Sequence, residues 1–576
     1  MDKRLLLFLV LAALIFIVPS LLFPPAKRQP AVQKVAAGST AVAPPPAATG
    51  SSTVATRTAR SAAPTPAKPA TAAPVPSDTV PAAPLSGDTV AVATPLVQYD
   101  FSTIGAVPIA ATLQNYRALS TGDGHVQLAR SGVPLVAYDL KMGRDTIPLD
   151  HVAFTVDSAA TTAAGAKTLT FRATVQGKPI ALTYTFSPER YAVQVRGEIQ
   201  DSAGSGDALL MTLPQGLRSN EADSADDQRQ LAFVMKPAED NVKSLSFRKL
   251  AKLDSGTAQV ENAPLTWIAS KSKYFMVALI SEQQPFAGAI LSPLGTPRTA
   301  SSQSAVVVRP LPANGRIAFQ LYVGPQEWER LVALGHDFTH LNSYGGIFSP
   351  ILQPFTVIVM RVLLWMHHHL PFTYGWVVVI FGVGLRLLLW PLNQTAMRSS
   401  LRMQRLQPEL QALQKKYKNN PEKQHEEMMR LYKEHDMSPL SPLSGCLPML
   451  IPAPILYALY YVFENTIAFR GVSFLWMADI AQKDPTYVLP ILMGASMLVN
   501  SWIGLRTAPP NAQTKMMGYF FPLLMTVFFL KLPAGLNLYY AVQNMASLPQ
   551  QWLIAKERAK AGPPSKKAEG ASLARR

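Results

Sequence analysis

The strongest constraint on the fold is a set of long apolar runs in the last third of the chain. Five follow one another at 374–392, 446–463, 487–505, 516–530 and 534–554, the last less apolar than the others. A bilayer core takes about 20 apolar residues of helix, so each run reads as a membrane span. Lipid offers the backbone no water, and a helix satisfies its own N–H and C=O groups within one segment. A sixth run, 5–23, follows Lys3 and Arg4. A cleaved signal peptide has the same order of basic and apolar regions, but "LLFPPAKRQ" follows here in place of a small-residue cleavage pattern. Residues 1–23 therefore read as an uncleaved anchor.

The formal charge of +17 admits two explanations: nucleic-acid binding, or the Lys and Arg excess that membrane proteins keep on the cytoplasmic side. Its distribution favours the second. The basic stretch 398–435 lies between the first two late runs, and the tail 556–576 is denser still in Lys and Arg. Six spans starting from a cytoplasmic N-terminus put both segments inside and the polar region before the late runs outside. No specific nucleic-acid site is expected. The single cysteine, Cys446, excludes an internal disulfide framework and a cysteine-based structural zinc site. It ends "LSGC", which imitates a lipobox but lies far from any N-terminal signal.

Residues 24–95 are mostly Ala, Pro, Thr, Ser and Val, without aromatic anchors for a core until the boundary, and read as an extended linker. From 96 to 345 short alternating runs recur. "KTLTFRATVQGKPIALTYTFS" reads as a hairpin turning at Gly177-Lys178, with Leu169, Phe171 and Ala173 on one face and Thr168, Thr170 and Arg172 on the other. Further strand candidates are "LAFVMKP", "SLSFRKL", "TWIASKSKYFMVALIS", "AGAILS", "AVVVRPL" and "RIAFQLYVG". Many strands with few helices predict a large β-sandwich. It holds no catalytic constellation, which leaves a scaffold or binding role. Segment 346–371 reads as an amphipathic helix lying on the membrane. Its adjacent histidines His367, His368 and His369 point about 100° apart on a helix and cannot share one metal ion.

Chemistry concentrates on Arg386, inside "FGVGLRLLLWPL". A central charge costs about 2.5–3.5 kcal/mol on insertion scales. Two explanations fit this span equally: the guanidinium snorkels to cytoplasmic headgroups, or it faces a hydrated cavity within the bundle. The other spans favour the cavity. The last carries Asn537, Gln543, Asn544, Ser547 and Gln550 with Tyr539 and Tyr540, and positions 537, 540, 544, 547 and 551 fall on one helical stripe. Pro448, Pro452 and Pro454 open the backbone of the second late span. No Asp or Glu occupies the interior of a late span to pair with Arg386. The basic segment 394–437 reads as a helical hairpin, with Leu406, Leu410, Leu413 and Tyr417 facing Met428, Leu431 and Tyr432. Arg402, Arg405, Met428 and Met429 are its candidate partner contacts.

Three stretches carry a resemblance to a known family: "GVGLRLLLWPLNQTAMRSSLRMQRLQPELQALQKKY", "EEMMRLYKEHDMSPLSPLSGCLPMLIPAPILYALYYVF" and "FFLKLPAGLNLYYAVQNMASLPQQWLI". Over 346–556 the chain resembles bacterial membrane protein insertases of the YidC/Oxa/Alb family, and its anchor and outer β-domain match the layout of Gram-negative members. The resemblance implies an insertase rather than an enzyme, with no catalytic residue, metal or cofactor. It implies six spans, five of them (372–555) forming a core, beside a periplasmic all-β domain. Arg386, Asn537, Tyr539, Tyr540, Gln543 and Asn544 would line a hydrophilic groove open to cytoplasm and lipid. Nascent membrane proteins would be the clients in the inner membrane. Lipids, a Sec translocon, the ribosome and signal recognition components would be partners. Pro452 stands where relatives often have glutamine, and Gly382 where some have a hydroxyl residue. A small-solute transporter is the alternative, but no inverted repeat pair supports it.

Overall fold

The computed structural model describes residues 87–561, apart from short internal stretches of which 294–302, 343–348, 395–405 and 435–452 are the longest. The anchor 1–23, the linker up to residue 86 and the tail beyond 561 lie outside the described residues, as do Arg402, Arg405, Pro448 and Pro452. The first strand, Thr89–Ala93, begins inside the segment read as linker. Its β-branched Thr89, Val90 and Val92 pair with Val97–Ser102, which gives this Ala-rich end a partner that composition alone does not reveal.

The β-rich region holds three antiparallel sheets. The largest has nine strands. In spatial order they are Lys243–Ser246, Ala232–Pro237, Leu265–Lys271, Phe275–Ser281, Arg316–Pro325, Ala192–Ile199, Lys178–Phe186, Lys167–Val175 and Thr155–Thr161. A six-stranded sheet and a four-stranded one share a single hydrophobic core with it. Alternation explains the strands: Leu169 and Phe171 are fully buried while Arg172 is exposed. The hairpin turns at Gln176-Gly177, one residue earlier than the sequence suggests. Both turn residues have positive φ, 48° and 81°, the geometry whose twist suits a two-residue hairpin. "SLSFRKL" splits into a strand to Ser246 and a helical turn, Phe247–Leu250, whose Phe247 and Leu250 are buried.

The described helices in chain order begin with α1 (Ser224–Arg229), α2 (Phe247–Leu250), α3 (Trp328–Leu334), α4 (Ser349–His369) and α5 (Tyr374–Leu388). They continue with α6 (Pro421–Glu434), α7 (Ala453–Asn465), α8 (Val488–Arg506), α9 (Ala512–Phe529) and α10 (Ala534–Ala561). Among the described residues one helix, over Val488–Leu505, is long and apolar enough to cross a membrane; Tyr374–Leu388 and Gly518–Phe529 are shorter apolar helices. Helix α4 buries Val359, Met360 and Leu363 and leaves Phe355, Ile358, Val362 and Trp365 exposed along one face.

A second core joins α4, α5, α7, α8 and α10 through the α7–α8 loop. Phe469, Phe474, Trp476, Met477 and Ile480 of this loop are buried across one end of the helices. The N–H groups of Ala534 and Gly535, which open α10, donate to the carbonyls of Gln482 and Ile480 at 2.7 and 2.8 Å. The fully buried Asp484 accepts from the Leu489 N–H at 2.8 Å and holds the loop to the start of α8. Gly375 sits so close to this loop that a Cβ there would lie 2.0 Å from Phe474 Cδ2. Gly375→Ala is therefore expected to lower stability by about 1–3 kcal/mol, the usual range for overpacking. The midpoint of thermal unfolding in detergent measures it.

The same loop ties the helices to the β-rich region. Arg470 donates through Nε to Glu221 Oε1 at 2.8 Å, through Nη1 to the Arg117 carbonyl at 2.9 Å, and through Nη2 to the Asn220 carbonyl at 3.3 Å. The Arg470 and Glu221 side chains are 4% and 2% exposed. Beside them the buried Lys273 pairs with Asp226 of α1 at 2.7 Å and with Glu464 of α7 at 3.4 Å. Asp227 accepts from the Lys273 N–H at 3.0 Å. The two regions thus meet through two buried cations, Arg470 and Lys273, each paired with carboxylates.

Candidate functional site

Arg386 lies in the last turn of α5, roughly 18 Å along the axis from Tyr374 at about 1.5 Å per residue. It is half-buried, and its Nη2 donates to Gln550 Oε1 of α10 at 2.7 Å. Gln550 is 2% exposed, and its Nε2 donates in turn to Gln394 Oε1 at 3.3 Å. One amide therefore bridges the cation to the segment beyond α5. Among the described residues Arg386 pairs with no carboxylate, and its buried Nε has no acceptor.

Above this contact α5 and α10 are pressed together. Gln543 Nε2 donates to the Gly382 carbonyl at 2.9 Å. A Cβ on Gly382 would stand 3.2 Å from Val542 Cγ1, so the missing side chain permits the close approach. Tyr539 is buried against Phe381, with ring centroids 6.2 Å apart. Tyr540 turns the other way, half-buried, with its ring 5.0 Å from Phe529 of α9. Helix α8 adds Asn500, which donates to the Asn544 carbonyl at 3.2 Å and lies 3.2 Å from Ser547 Oγ. Asn544 Nδ2 is buried without a partner among the described residues.

The polar residues of α10 thus do not share one wet face. Gln543 and Gln550 turn to α5, and Asn544 and Ser547 to α8. Asn537 is fully buried and donates to the Phe529 and Leu532 carbonyls at 3.2 and 3.4 Å, where it closes the end of α9. It belongs to the turn and not to a groove, because a helix end leaves carbonyls that need donors. Asn537→Ala is expected to cost about 1–3 kcal/mol, since the Phe529 carbonyl is buried and would lose its donor. Insertion should fall only in proportion to the loss of folded protein, which thermal unfolding beside an insertion assay separates. In the hairpin, Leu406, Leu410, Leu431 and Tyr432 form a small core, and Met428 and Met429 pack half-buried against it. The two methionines thus contribute to the hairpin's own packing while keeping part of their surface exposed. Gln394 and Asn500 are the contributors that the stripe does not reveal. Asn500 carries a visible signal, a lone amide in the apolar "ASMLVNSWIGL".

Residues 89–358 match the family described as YidC periplasmic domain, and residues 365–561 match the 60Kd inner membrane protein family. Fold and matches together define an inner-membrane protein with a β-rich periplasmic domain and a helical C-terminal region. A membrane protein insertase YidC of Geobacter metallireducens is 30% identical over 97% of this chain and 99% of its own length. One from Chlorobaculum tepidum is 31% identical over 65% of each chain. A solved structure described as an active YidC insertase with its first transmembrane domain resolved aligns at 18% identity, over 81% of this chain and 92% of that one, with a TM-score of 0.33. The chain belongs to the YidC family of membrane protein insertases.

Proposed function

We propose that this protein inserts and helps fold nascent inner-membrane proteins by giving their polar translocated segments a partly hydrated seat around Arg386. The observation that carries the mechanism is the cation itself, half-buried among apolar helices, held by a neutral amide and matched by no carboxylate among the described residues. Carrying polar groups into hydrocarbon costs about 2–7 kcal/mol each when nothing hydrogen-bonds them. Donors with spare capacity at Arg386 and Asn544 lower that cost, and the cation draws acidic client residues toward it.

The loop packed over the opposite end of the helices supports a seat that opens on the cytoplasmic side alone. The proposed topology has six spans, the anchor and the segments containing α5, α7, α8, α9 and α10, with both termini cytoplasmic. It rests on the basic segments 398–435 and 556–576 lying inside. The hairpin would receive the ribosome, signal recognition components or a Sec translocon. Complementation tests the proposal. Cells depleted of their own insertase and supplied with the full chain should regain insertion of a Sec-independent single-span client, scored by protease protection of its translocated tail. Continued accumulation of uninserted client, with the protein present in the membrane, contradicts it.

A further inference from the structure

We infer that Gln550 is a positioning residue whose neutrality keeps Arg386 charged toward the client. The inference rests on the capture of acidic segments proposed above. A guanidinium inside an apolar bundle is most strongly satisfied by a carboxylate, in a short charge-assisted contact. The chain places an amide there, 2.7 Å from Nη2, and the next group along, Gln394, is an amide as well. The orientation of Gln550 is fixed at both ends: its oxygen faces the cation because its nitrogen donates to Gln394 Oε1.

Helix pairing does not require this contact. Helix α5 is already tied to α10 by the Gln543–Gly382 hydrogen bond and by Val542 against Gly382. What the amide adds is direction without charge. It holds the guanidinium at one place in the seat and leaves a net +1 for the client to neutralise. Glutamate has nearly the same shape and would cancel that charge at the same distance. Gln550 therefore sets preference between acidic and neutral segments, whereas Arg386 supplies the attraction.

The test uses the full-length protein in vesicles of phosphatidylethanolamine and phosphatidylglycerol. The client is a single-span protein whose short translocated tail carries two aspartates or, in a matched version, two asparagines. The readout is the ratio of aspartate-tail to asparagine-tail insertion. Arg386→Ala is expected to lower the ratio about tenfold, and Gln550→Glu to lower it to the same level. If Arg386→Ala leaves the ratio within twofold of the wild type, the capture proposal itself fails. If Arg386→Ala lowers it and Gln550→Glu does not, only the role of Gln550 is overturned. Equal losses for both tails leave the ratio unchanged and overturn it likewise. Should Gln550→Glu not yield folded protein, the exchange Arg386→Gln/Gln550→Arg decides, because it keeps one cation and one amide at the contact. A ratio near the wild type is expected from it, and a fall to the Arg386→Ala level overturns the inference.

Discussion

Charge reversal at Arg386 is expected to lower insertion of an acidic-tail client about a hundredfold relative to its asparagine-tail version, and Arg386→Ala about tenfold. A hydrogen bond to a charged group is worth about 1.5–3 kcal/mol. Partial exposure of the guanidinium moves the contact toward the lower end, near the 1.4 kcal/mol that makes about a factor of ten. Glutamate replaces an attraction by a repulsion of similar size, so the factor roughly squares. A membrane potential drives acidic segments in a direction of its own, so vesicles without a potential give the cleanest ratio. Equal loss for both clients would reduce Arg386 to a structural part of α5.

The largest loss of stability is expected at the joint between the β-rich region and the helices. Glu221→Ala leaves Arg470 buried with its charge unpaired, and a guanidinium cannot shed its proton. Breaking one side of such a pair costs about 3–5 kcal/mol. Replacing both partners together, Glu221→Leu with Arg470→Met, removes the desolvated charges along with their attraction and should recover much of that loss. Arg470→Ala behaves differently. Burial already pushes the Glu221 carboxyl from 4.5 up to about 7 against the pull of Arg470. Without the arginine it takes a proton more readily still. A carboxyl whose folded pKa is raised loses stability as pH rises from its unfolded value to its folded one. The deficit of Arg470→Ala should therefore stay level between pH 4.5 and about 7, where both proteins lose stability alike, and widen above about 7. Urea unfolding of the detergent-purified protein across that range reads both effects. A joint whose stability is indifferent to Glu221→Ala would mean that the paired charges do not hold the two regions together.

Much of this organisation is legible in the sequence, because apolar helices and half-buried strands impose patterns that residue order records directly. The apolar runs marked the helices, and Leu169 and Phe171 marked the inner face of their strand. Arg386 stood out because a lone cation in an apolar run is costly enough to need a cause. What spacing did not give is which neighbour each polar residue meets. Asn537 and Gln550 are both amides in the same apolar run, yet one closes the turn after α9 and the other holds the cation, since α10 touches different helices along its length. That Met428 and Met429 also pack on the hairpin's small core was not legible, because a period cannot tell a face turned to solvent from one turned to a second helix. The edge strand Thr89–Ala93 was hidden by composition, as its order comes from pairing across the sheet. The joint at Arg470 is a meeting of segments some 250 residues apart, which no local pattern records.

Polar client segments are expected to pass against Arg386 and the half-buried Tyr540. Site-specific photocrosslinking to a ribosome-stalled nascent membrane protein tests it most directly, with a photoreactive residue at 386, 540 or 537. Crosslinks to the nascent chain are expected from 386 and 540 and not from the fully buried 537. No crosslink from 386 or 540, or equal yield from 537, would contradict the claim.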